Sequence, residues 1–246
     1  MINYSSYSNM LSIQTNMCFP FEYNFYKKLG FDYFRDIIEI GCGNAVFLKT
    51  LGSVFPNLQL FGYDNCRQLI SSQYKNETKL VLKFGSAEDI DIQADAIILR
   101  LILHQITDRR LFLAKIKSKI NDQTKIIIID TNDEKFFMTP ELPNFNQHLI
   151  KHRNFFSSGH ASRKVKDFII QEMALIGFSL AEQESYYMPS SLFGYKEIYK
   201  NYFLEGCDVL SCTEEVRNEI ESWYLNPTSY VQMGLFMYCF ENNKSK

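Results

Sequence analysis

The chain has 246 residues, of which 46% are hydrophobic and 22% charged, and its formal net charge is −2. That is enough chain for one large domain or a domain with an elaborated cap. No apolar run reaches the roughly 18 residues of a membrane span, and no basic run dominates, so a membrane is excluded and a nucleic-acid partner disfavoured.

The six cysteines, Cys18, Cys42, Cys66, Cys207, Cys212 and Cys239, form no CxxC pair and no zinc-ligand spacing. Free thiols in a reducing cytoplasm and no metal are the simplest account. The first five residues are polar with no positive run, so no secretory leader is expected. The 21 Phe and 15 Tyr exceed what a plain sheet-and-helix core requires. They fit an aromatic-lined pocket or a generously packed core equally well.

Residues 1–35 read as an N-terminal helical segment. Phe21 to Phe34 has aromatic residues near helical spacing, whereas Tyr4 and Tyr7 read as loose or surface residues, with a lid over a ligand as the alternative. Ile37-Ile38-Glu39-Ile40 is a short β-branched run, read as a buried strand. Gly41 and Gly43 then break it, and Val46, Phe47 and Leu51 begin a helical pattern. A dinucleotide fingerprint would need glycine where Val46 stands, and no Gly-Lys-Ser/Thr follows, so neither that fold signature nor a P-loop is present.

Leu58 to Asp64 alternates apolar and polar residues and ends in an acid, a second strand. Asp64 lies about twenty residues beyond Gly41, where an acid in nucleoside-binding α/β folds accepts hydrogen bonds from ribose hydroxyls. Asp64-Asn65 also suits a helix cap. Leu80 to Gly85 is a third strand, followed by the polar turn Ser86-Ala87-Glu88-Asp89. Ala94 to Arg100 is a fourth, continuing into Leu101-Ile102-Leu103-His104. A helix follows with Leu111, Phe112, Ile116 and Ile120 as its expected buried set. Lys125 to Asp130 is a fifth strand.

Residues 131–162, with Phe145, Phe155, Phe156 and the Gly159-His160 turn, are too long for an ordinary connection and read as a substrate cap. A helix from Arg163 to Ile176 ends at Gly177, and a strand runs from Phe178 to Tyr187. Residues 188–229 form a second aromatic-rich cap with a helix from Glu214 to Tyr224, and Val231 to Phe240 is the last strand. The alternation implies a parallel sheet covered on both faces, with ligands at the C-terminal strand ends.

The acid-x-Gly-x-Gly run Glu39-Ile40-Gly41-Cys42-Gly43, Asp64, Ser86-Ala87-Glu88 and Arg100-Leu101-Ile102-Leu103-His104 together resemble the motifs of class I S-adenosylmethionine-dependent methyltransferases of the small-molecule type. The resemblance spans about Ile37 to Phe178 by motif. It implies a single α/β, Rossmann-like domain over 1–246, with a seven-stranded sheet in the order 3-2-1-4-5-7-6, its last strand antiparallel. It implies S-adenosylmethionine as cofactor, held by Glu39, Gly41, Cys42, Gly43, Asp64, Asn65, Ser86, Ala87, Glu88 and Arg100. The Gly41 and Gly43 backbone would take the methionine part, Asp64 the ribose, and Ser86-Ala87-Glu88 the adenine. In one respect the chain departs from the pattern: Ala45 stands where a third glycine is usual, so the turn is expected to avoid a strained backbone there.

His104 is the candidate base, because imidazole titrates near working pH; a structural role suits the segment as well. Asp130 and Asp133 end the fifth strand, where they could orient a substrate amine or hydroxyl or simply be a solvated turn. The site expectation is therefore His104 as catalyst, with His104 and Asp133 on the substrate. His148, His152 and His160 show no paired metal-ligand spacing. The expected reaction is methyl transfer to a nucleophilic atom of a small metabolite, aromatic or not. An RNA or protein methyltransferase, or a module that binds the cofactor without turnover, stays open; the Asn/Asp-Pro-Pro-Tyr/Phe motif of amine-methylating enzymes is replaced by Arg100-Leu101-Ile102-Leu103. The oligomeric state is open, a homodimer included.

Overall fold

Consecutive runs of β-branched residues decide the centre of the molecule. In the computed structural model, which describes residues 2–70, 78–156 and 164–243, β1 (Asp36–Ile40), β2 (Gln59–Asp64), β3 (Leu80–Phe84), β4 (Ala96–Arg100) and β5 (Lys125–Thr131) run parallel in the order β3-β2-β1-β4-β5. Every residue of β4 is buried, as a strand covered on both faces requires. Ile37, Ile98, Ile127 and Ile129 face one core layer. Their neighbours Ile38, Ile97, Ile126 and Ile128 face the other.

Three further strands complete the sheet: β6 (Phe137–Thr139), β7 (Phe178–Pro189) and β8 (Tyr230–Asn242). β8 runs antiparallel beside β5 and is paired on its other edge by β7. The seven long strands therefore follow the expected order, with the antiparallel strand inserted between β5 and β7. The short β6 is additional. It pairs with Tyr230–Gln232 of β8, just beyond the stretch that pairs with β5.

The first core layer is covered by α1 (Tyr4–Lys28), α2 (Val46–Val54), α4 (Pro143–Phe156), α6 (Tyr195–Val209) and α7 (Glu214–Leu225). The second is covered by α3 (Arg109–Lys117) and α5 (Val165–Leu175). No helix among the described residues is long and apolar enough to cross a membrane. The expected Gly159-His160 turn lies outside the described residues.

Two local expectations change. Helix α1 starts at Tyr4, well before Phe21, so Tyr4 and Tyr7 belong to it. Asn3 caps it by accepting a hydrogen bond from the Ser6 N–H at 3.3 Å, and Gly30 (φ 85°) follows its end. Its polar first half is held by tertiary contacts: Asn9 donates to Glu205 at 3.1 Å, and Gln14 to Tyr202 at 3.3 Å, both on α6. In α3 the buried residues are Leu113 and Ile116, while Leu111 is 52% exposed. The Asp108 cap sets the helix phase, and Arg109 on the inward face forms a bidentate pair with Glu172 of α5.

Candidate active site

The turn after β1 is held to the end of β2 by backbone and carboxylate together. The N–H groups of Gly41 and Cys42 donate to the Tyr63 carbonyl at 2.7 and 3.1 Å. Asp64 accepts from the Gly43 N–H on one oxygen and from the Cys66 N–H on the other, both at 2.7 Å. Burial raises the Asp64 pKa, and these two donors partly offset it. A Cβ on Gly41 would stand 2.5 Å from the Ile102 side chain, and one on Gly43 2.8 Å from Leu11 of α1. Only glycine fits this crease.

Ala45 does not escape the strain. Its φ is 58°, and so is close to that of Leu101 (φ 57°) at the end of β4. A left-handed non-glycine residue costs about 1–2 kcal/mol. Asn44 helps to offset this by donating to the Ser8 carbonyl at 2.8 Å and to Ser12 at 3.0 Å, which ties the turn to α1.

Behind the turn sits a buried group of charges. Arg100 makes a bidentate pair with Glu22 of α1, with contacts of 2.9–3.1 Å. Its guanidinium also lies 4.8 Å from the Phe47 ring centre. Burial disfavours the Arg100 charge, but Glu22 outweighs it and keeps the group cationic. Glu39, 3% exposed, stands nearby with Oε2 unpartnered. Burial holds its carboxyl well above the usual range; Arg100 opposes this, while Asp64 and Glu22 add to it.

His104 sits in a single 3-10 turn after β4. Its Nδ1 is 2.7 Å from Asp130 Oδ1 at the end of β5, and its N–H donates to Asp130 Oδ2 at 3.2 Å. Asp130 is fully buried. Burial alone would raise its pKa, but His104 and the Thr131 N–H outweigh it and hold the carboxyl low. With Nδ1 occupied, Nε2 is the ring nitrogen left for exchange; Gln105 approaches it at 3.4 Å.

These groups share one cavity of about 530 Å³. Glu39, Gly41, Cys42, Gly43, Asp64, Asn65, Ser86 and Arg100 line it at the β1–β4 side, and His104 stands between the sheet and the cover. Three expected residues lie elsewhere. Ser86 caps a 3-10 turn whose geometry sends Ala87 into the core, at 1% exposure, and Glu88 outward to Lys115 of α3. Asp133 is exposed in the turn after β5, off the cavity wall. Ala87, Glu88 and Asp133 are thus not among the described residues that line the cavity.

The opposite wall includes Tyr7, Met10, Leu11 and Gln14 of α1, His148 of α4, and Tyr202 and Gly206 of α6; of these the sequence reading gave His148 no site role and did not single out Met10, Leu11, Gln14 or Gly206. The spacing of Tyr7, Met10, Leu11 and Gln14 is one helical face, a signal that could have found the first four. The cover wall is mostly apolar, with Phe136, Phe145, Leu149, Phe203 and Met233. Arg100 is the one Lys or Arg among the described lining residues, and it is paired. Glu39 Oε2, Thr131 Oγ1 and His148 Nε2 are buried on the wall without a partner among the described residues. Each such group costs about 1–3 kcal/mol until something satisfies it.

The profile of the O-methyltransferase domain matches residues 8–139, more than half of the chain. The fold resembles that of a plantazolicin methyltransferase in complex with S-adenosylhomocysteine, with TM-score 0.52 and 14% identity over 98% of this chain and 85% of that one. It also resembles the YcgJ protein of Bacillus subtilis, with TM-score 0.51 and 14% identity over 85% of this chain and 92% of that one. Haemonchus contortus phosphoethanolamine N-methyltransferase 2, in complex with phosphomonomethylethanolamine and S-adenosylhomocysteine, matches with TM-score 0.53 and 12% identity over 85% of this chain and 49% of that one. At these identities the likeness is one of fold. A comparison with curated protein sequences gives no match.

Proposed function

We propose a substrate class and a division of labour for a chain that belongs to the O-methyltransferase domain family and is an S-adenosylmethionine-dependent methyltransferase. The acceptor is a hydroxyl on a small, neutral, aromatic metabolite. The observation that supports this most is the His104–Asp130 pair on the cavity wall, at 2.7 Å.

The residues present fit the cofactor. The Gly41 and Gly43 crease leaves room for an extended chain against the backbone, and the unpartnered Glu39 Oε2 suits an ammonium group. S-adenosylmethionine, when bound, supplies an electrophilic methyl group on a sulfonium. Asp64 keeps lone pairs beyond its two backbone donors for the ribose hydroxyls. Asn65 and Ser86 border the same stretch of wall. A cationic ammonium beside Glu39 would favour its ionised form, relieving the cost of burial. Arg100 acts structurally: its charge is consumed by Glu22.

On the acceptor side, Asp130 holds His104 with Nδ1–H toward the sheet. Nε2, which Gln105 reaches only at 3.4 Å, would then take the hydroxyl proton as the acceptor oxygen bonds to the methyl carbon and the carbon–sulfur bond breaks, leaving S-adenosylhomocysteine. The apolar cover fits a flat ring and excludes water from the reaction. The enclosed shape, and the pairing of Arg100, disfavour an RNA backbone. The test is to incubate the purified protein with S-adenosylmethionine and 2-naphthol and to follow both S-adenosylhomocysteine and the methyl ether. Formation of both in equal amounts is expected. Cofactor binding with no methyl transferred to any neutral phenol would favour a non-catalytic module and sink the proposal.

A further inference from the structure

His148 is a titratable group on the cavity wall that the reaction above leaves without a task. It lies in α4 and is 9% exposed. The Gly206 backbone hydrogen-bonds its ring, and Nε2 has no partner among the described residues, so the bond is assigned to Nδ1. Gly206 is among the last four residues of α6, where carbonyls lack a helical partner. A carbonyl can only accept, so Nδ1 carries the proton and Nε2 presents a lone pair. Burial lowers the pKa of the ring, and Lys151 adds to that, against the Gly206 bond, so the ring stays neutral at ordinary pH. The result is a fixed acceptor, buried and without a partner among the described residues, on a wall that also carries Phe145, Leu149 and Phe203.

We infer that His148 is a specificity-determining residue whose Nε2 accepts a hydrogen bond from a second donor on the substrate, remote from the oxygen that is methylated. The preferred substrate is then an aromatic molecule with two donor groups, one delivered to His104 and the other to His148. A ring with a single hydroxyl leaves Nε2 unpaired and binds less well. A site built around a hydrogen bond discriminates by leaving its own group unsatisfied when the wrong ligand enters. The inference rests on the reading of the cover wall as the acceptor side.

Two matched probes test it. 2,7-Dihydroxynaphthalene and 2-naphthol differ only in the remote hydroxyl. Their binding to the protein saturated with S-adenosylhomocysteine is measured by calorimetry. The dihydroxy compound should bind about tenfold tighter, the difference one well-formed hydrogen bond makes. His148→Asn keeps an amide donor near the place of Nδ1 for Gly206 but removes the deeper acceptor. It should bind the two probes equally. His148→Gln reaches the depth of Nε2 and should restore part of the preference. Equal binding by the natural protein, binding of neither probe, or a preference that survives His148→Asn would overturn the inference. A preference in binding with no methyl transfer to either compound would overturn the hydroxyl-methylation reading and leave His148 in its role.

Discussion

The two walls of the cavity are built in opposite ways. The β1–β4 wall is made of short consecutive segments, each ending a strand, and its main polar contacts use backbone N–H groups and carboxylates already fixed by the sheet. The cover wall is assembled from α1, α4 and α6, segments far apart in sequence, and it is apolar apart from a few side chains such as His148. A wall made by strand ends can serve one invariant ligand. A wall made by three separate helices can be changed one face at a time, and so suits the partner that varies.

The sharpest test of that contrast is to damage one wall and look for effects on the other. His104→Ala should lower kcat by about 10²–10⁴-fold, with S-adenosylhomocysteine affinity by calorimetry unchanged. A parallel loss of affinity would mean the walls are not separable. Glu22→Ala attacks the joint between them, because it leaves the buried Arg100 without its counter-charge. Urea unfolding should show a loss of about 3–5 kcal/mol; an unchanged midpoint would show that Arg100 finds another partner. Asp64→Ala should weaken S-adenosylmethionine binding by about 10–100-fold, the scale of charge-assisted hydrogen bonds, and leave phenol binding to the cover untouched.

The smallest effect is on pH dependence. The folded pKa of His148 is lowered, so on acidification the unfolded chain takes up its proton first, near pH 6.5. Stability should therefore fall as pH drops below about 6.5, until the folded value is also passed. In His148→Asn, unfolding between pH 7.5 and 5.5 should lose this part of the slope. An identical slope would mean the ring is not desolvated.

The same contrast explains what could be read in advance. Glu39, Gly41, Gly43 and Asp64 are legible because backbone geometry forces residue type locally: only glycine fits against Ile102 and Leu11. The alternation of apolar runs implied only a parallel sheet, and the strand order came from the family resemblance those segments carry. At Ala87 and Glu88 the polar turn did not reveal which way its side chains face. The Ser86 cap settled that by turning one inward and one outward. Tyr7 and His148 were opaque for another reason. Their environment is created by α6, which lies far along the chain. The start of α1 was missed because its support comes from Glu205 and Tyr202 rather than from its own sequence. Ala45 shows the converse: its strain is local, but what holds it is Asn44 reaching across to α1.

The position of β8 bears on how the protein is made. β8 comes last among the strands, yet it is the wedge between β5 and β7. While a ribosome is still working, both neighbours hold bare edges that other chains could pair with. The sheet can therefore close only once β8 has emerged, after both of its neighbours.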